Sequence, residues 1–104
     1  MAIQDIPLSF HLGGRDWKVT FHESLEKGEV FAKWLDTKAE IQIARNVNDD
    51  DSLEPCDDYS MEHSFWHELG HVFQYYSTGK TDDRFAQTFA TYMMEFIKTK
   101  VKRQ

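Results

Sequence analysis

The chain has 104 residues, 40% of them hydrophobic, a formal net charge of −6 and one cysteine, Cys56. That length and composition predict one globular domain over 1–104, with a modest core and no covalent staples. The acidic balance excludes a protein that holds nucleic acid through its phosphates, and a lone cysteine excludes an internal disulfide or a cysteine-based zinc knuckle.

Cysteine usage also favours an intracellular, cytoplasmic setting. The opening "MAIQDIPLSFHLGG" has no basic stretch followed by an apolar run, so it does not read as a leader. No window approaches the roughly 18 apolar residues of a membrane span. No membrane partner is expected.

The first half alternates with period two. Ile6, Leu8, Phe10 and Leu12 are spaced to share one face, as are Trp17, Val19 and Phe21 after the turn "GGRD". A second pair of strands follows Gly28. Val30, Ala32 and Trp34 form one face, and Ala39, Ile41 and Ile43 another after "LDTK". Both pairs read as antiparallel hairpins. The segment 48–58, "NDDDSLEPCDD", is acidic with few apolar residues and reads as a solvated loop. It lacks the alternating aspartates, glycine and distal glutamate of a calcium loop.

The second half changes to helical spacing. Tyr59, Glu62, Trp66, Leu69, Phe73 and Tyr76, with Phe65 and Val72 beside them, predict a helix over 58–77, capped by Asp57 or Asp58 and ended by Gly79. Thr81 is placed to cap a second helix running to about 101, with Phe85, Ala86, Phe89, Ala90, Met93, Phe96 and Ile97 as its stripe. The short connection predicts antiparallel packing of the two helices. The fold expected is α+β, a small antiparallel sheet of two hairpins packed on two antiparallel helices.

The first helix carries "HELGH", His67 to His71. Histidines four apart lie one turn above each other, so their ring nitrogens can converge on one tetrahedral metal. Glu68, next to the first histidine, is placed to take a proton from a water at the open coordination position. This is the zinc-peptidase pattern, with Zn2+ as cofactor, His67 and His71 as ligands and Glu68 as general base. Gly70 costs helix stability. It earns its place if a neighbouring backbone must come close to the metal helix.

A third ligand is needed. His63 is on the same helix but about 12 Å along the axis from His71, too far for one ion. His11 and His22 lie on strands with nothing to place them. Glu95 is about three turns into the second helix. Asp82 and Asp83 lie in that helix's first turn, and Asp83 stands first because Ala86 and Ala90 on its face permit close packing. An acid there also stabilises the helix dipole, a role Asp82 can fill alone. Tyr75 and His63, each one turn from a ligand, are candidate donors to an oxyanion.

On these residues the chain resembles the ImmA/IrrE-like metallopeptidases, especially short stand-alone forms of phages and mobile elements. The resemblance runs through "GEVFAKWLDTKAEIQIA", "HSFWHELGHVFQYYSTGK" and "DDRFAQTFATYMMEF". It implies a minimal zincin-like fold and a gluzincin-like, zinc-dependent hydrolase of peptide bonds. Its partner would be a peptide or protein, such as a separate repressor, in the cytoplasm of the host if phage-encoded. In that family the second helix opens with an acid followed by small residues, here Asp83, Ala86 and Ala90. The family usually has glutamate there. Aspartate is one methylene shorter, so either the second helix sits closer or the metal is held more weakly. The alternative function is a metal-stabilised protein-binding module without turnover.

Overall fold

Both predicted hairpins form, and the pairing that joins them decides the sheet. A computed structural model describes residues 5–103. Residues 1–4, where the segment without a leader pattern begins, and residue 104 lie outside the described residues. Strand β1 (Ser9–Leu12) runs antiparallel to β2 (Arg15–His22), and β3 (Ala32–Leu35) antiparallel to β4 (Glu40–Ala44). Gly13 and Gly14 make the first turn with φ of 62° and 78°, a region that costs glycine little.

β2 then lies beside β4 in parallel, Val19 opposite Ile41 and Phe21 opposite Ile43, in the order β1-β2-β4-β3. The sheet is therefore mixed, not the antiparallel one expected. Alternation tells which face of a hairpin is buried but not which strand meets its neighbour. Here the most apolar strand, β4, takes an inner position with Ile41 and Ile43 wholly buried, and β3 is left at the edge. Leu8 also departs from its predicted face. β1 begins one residue later, Leu8 is 85% exposed, and its carbonyl accepts the Val19 N–H.

The acidic segment is not a plain loop. Strands β5 (Asn46–Asp49) and β6 (Ser52–Pro55) form a separate two-stranded ribbon turning through Asp50 at φ 59°. Every residue of β6 is exposed, so the ribbon has no buried face to leave a hydrophobic period in the sequence. Asn48 Nδ2 anchors it by donating to the Lys27 carbonyl at 2.8 Å. Gly28 leaves the space, since a Cβ there would lie 2.4 Å from Asn48 Oδ1.

Helix α1 spans Asp58–Thr78. Its N-cap is Asp57, whose carboxylate accepts the Ser60 N–H at 2.8 Å, and Gly79 ends it in the left-handed conformation. Helix α2 spans Asp83–Thr99. Its N-cap is Asp82, not Thr81. Aspartate is at least as good a cap, and its side chain accepts the Arg84 N–H at 3.0 Å. The helix also ends earlier than predicted, with Lys100 already extended.

The layers are sheet, α1, then α2. Met61, Phe65, Leu69 and Val72 of α1 pack on Trp17, Val19, Ile41 and Ile43. The single stripe predicted for this helix merged two faces: Tyr59, Phe73 and Tyr76 are exposed, and Phe73 meets Phe89 of α2. A helix covered on two sides has two stripes, which one period cannot separate. In α2 the buried residues are Ala86, Ala90 and Met94, whereas Phe85, Phe96 and Ile97 of the predicted stripe stay exposed.

Two polar clasps set α1 in place. Tyr76 donates to Asp36 Oδ1 and accepts from Arg15 at 2.9 Å, tying the end of α1 to both hairpins. Lys98 of α2 donates at 3.0 Å to Glu62, a carboxylate only 1% exposed. Removing the cation alone strands a buried charge. Lys98→Met is expected to cost about 2–4 kcal/mol in denaturant unfolding, and adding Glu62→Met to recover most of it.

Candidate metal centre

His67 and His71 are both in α1, with ring centroids 4.8 Å apart and planes nearly perpendicular. Both turn toward the start of α2. A single oxygen of Asp83, Oδ1, lies 3.1 Å from His71 Nε2 and 3.6 Å from His67 Nε2. Two donors about 2.0–2.2 Å from a tetrahedral ion are about 3.3–3.6 Å apart. Asp83 Oδ1 therefore has the spacing from each imidazole nitrogen that a zinc-sized ion requires, and imidazole with carboxylate is a suitable donor set.

What brings Asp83 there is the missing side chain at position 70. A Cβ on Gly70 would lie 3.3 Å from Ala86 Cα and 3.0 Å from Phe89 Cδ2. The second helix sits close, so the shorter aspartate reaches.

The buried carboxylate of Glu68 is the other acid at the site. Its oxygen and the ring nitrogens of His67 and His71 all lie within 4.8 Å of one another. Asp83, by contrast, leaves 90% of its side chain exposed, on the side open to solvent. Burial, with the Asp83 charge adding to it, pushes the Glu68 carboxyl up to about 7. Burial and the neighbouring His67 hold His71 below the ordinary histidine range, against the opposing pull of Asp83. A neutral imidazole is the form that ligates a metal. His71 Nδ1 is buried without a hydrogen-bond partner among the described residues.

The raised Glu68 has a consequence for the metal-free chain. The folded form holds the proton up to about 7, and the unfolded chain releases it near 4.5. Stability from this group is complete below the lower value and is lost as pH rises through the upper one. Metal-free Glu68→Gln is expected to be more stable than wild type at pH 8, by up to about 3 kcal/mol in urea unfolding. The difference should vanish near pH 4.

The remaining candidates lie elsewhere. Asp82 is the helix cap, and Glu95 is exposed about three turns along α2. His11 pairs with Asp16 and His22 with Thr20, both on the sheet. Tyr75 packs its ring on Trp34 at 5.4 Å. His63 instead lines a groove of about 490 Å³ that has His67 and Glu68 on its wall. Its Nε2 is 3.2 Å from Thr91 Oγ1 of α2. The i, i+4 spacing of His63 and His67 was legible in the sequence. Thr91 and Phe31, which also line the groove, carried no signal there.

Among the described residues no helix is long and apolar enough to cross a membrane. Compared with protein-family models, curated proteins and solved structures, the chain matches none of them.

Proposed function

We propose that the protein is a zinc-dependent peptidase of the ImmA/IrrE-like, gluzincin-like kind. The observation that carries this reading is the convergence of one Asp83 oxygen on the Nε2 atoms of both histidines. His67, His71 and Asp83 would hold the ion. A zinc ion held there would supply Lewis acidity and a water acidic enough to give up a proton near neutrality. Glu68 takes the proton of the attacking water and returns it to the leaving amine. It is buried beside both histidines, within reach of a water held there. The groove holds the substrate beside it. β3, paired only with β4 among the described residues, contributes Ala32 to the groove wall. An edge strand there can pair with an extended peptide. The substrate would be a peptide or a separate protein such as a repressor, met in the cytoplasm.

Elemental analysis of protein purified without added metal tests the metal. One zinc per chain is expected, and none in the His67→Ala/His71→Ala variant. Full occupancy in that double variant would overturn the site.

A further inference from the structure

The groove has a chemical character that the metal centre alone does not explain. Its mouth carries two exposed aromatic rings, Phe31 (51% exposed) and Tyr59 (58% exposed). The rest of its wall is largely polar: Ser64, Gln87 and Thr91 line it, with His63 Nε2 in hydrogen-bond reach of Thr91. Burial and the nearby His67 keep the His63 imidazole below its ordinary pKa. Glu68 is the one carboxyl group in the lining, and neither lysine nor arginine is among the lining residues.

We propose that this groove is a recognition site for a large, uncharged aromatic side chain with a hydrogen-bonding edge, tyrosine above all. The placing of that side chain next to the cleaved bond rests on the peptidase reading; the binding chemistry does not. Phe31 and Tyr59 offer ring faces for offset or edge contacts. His63 and Thr91, at 3.2 Å, use one hydrogen-bonding position on each other. The imidazole's second nitrogen and the hydroxyl's remaining capacity are left for a phenol.

Charged side chains fit poorly. No lysine or arginine lines the groove to meet a carboxylate. A lysine or arginine would have to pair with Glu68 and so remove the base. Small side chains would leave most of about 490 Å³ unfilled. A site that pairs its polar groups with a ligand hydroxyl discriminates against the analogue lacking it.

Binding of small probes to the full chain tests this without relying on activity. In amide NMR titrations, 4-ethylphenol is expected to shift Ser60, Ser64 and Thr91, and ethylbenzene to bind about tenfold more weakly. That gap should close in Thr91→Val, which keeps shape, and in His63→Leu. Shifts confined to another surface overturn the proposal. So does a gap that survives in both variants, or equal binding of propionate or butylamine.

The zinc-loaded protein is then given a mixed peptide library. Cuts clustered beside tyrosine support the recognition site and the peptidase reading together. Cuts beside charged or small residues overturn the recognition site alone. Phenol binding in the groove with no peptide cut supports the recognition site and sinks the peptidase reading.

Discussion

Glu68→Gln is expected to lower peptide hydrolysis by about 10²- to 10⁴-fold, the usual contribution of a positioned general base, while one zinc stays bound. Glutamine has nearly the same shape and keeps a hydrogen-bonding oxygen, but it cannot accept a proton at neutral pH. The carboxylate it replaces is buried beside the two histidines, and its oxygen and their ring nitrogens lie within 4.8 Å of one another. If Glu68 were a ligand, zinc content would fall along with activity. If the protein were a binding module, no activity would be found to lose. Metal analysis and turnover on the same preparation separate these cases. Wild-type turnover in this variant would end the mechanism as written. The metal-free variant should meanwhile be the more stable one above pH 7, so loss of activity through misfolding is checked independently.

Asp83→Asn is expected to weaken zinc binding at least about tenfold, read by competition with a chelating dye, while the fold survives. The substitution removes a charge-bearing oxygen that lies 3.1 Å and 3.6 Å from the two Nε2 atoms. Asp83 side-chain exposure is 90%, so little packing is lost. Asp82→Asn is the control. Its side chain caps α2, asparagine caps about as well, and only a few tenths of a kcal/mol should go through the dipole.

Gly70→Ala asks whether helix spacing is what lets aspartate reach. The added Cβ would lie 3.3 Å from Ala86 Cα and 3.0 Å from a Phe89 ring carbon. The ring can turn aside, but the α2 backbone has to move by a few tenths of an ångström. Zinc affinity is therefore expected to fall in Gly70→Ala although no ligand is touched. Asp83→Glu in the same background should restore part of it, because glutamate is one methylene longer. Unchanged affinity in Asp83→Asn would remove Asp83 from the site and leave the two histidines standing.

The sequence by itself determined whatever rests on local spacing. His67 and His71 share a helix face because four residues make about one turn. Asp57 and Gly79 bound that helix because their backbone and side-chain chemistry act on adjacent groups. Trp17, Val19, Ile41 and Ile43 were legible as core from alternation alone. Even Gly70 could be read as a place of close approach.

Tertiary structure decided whatever joins distant segments. The parallel pairing of β2 with β4 depends on which hairpin edge buries more, which neither hairpin encodes alone. The β5–β6 ribbon is held by backbone bonds and Asn48, without a buried face, so no period announces it. Which of Asp83 and Asp82 lies beside the histidines turns on one residue of helical phase. The first points an oxygen at both histidines, and the second turns back to cap its own helix. The groove is drawn from β3, α1 and α2 together. Its character comes from Phe31, His63 and Thr91 meeting across about sixty residues of chain, a juxtaposition that only packing produces.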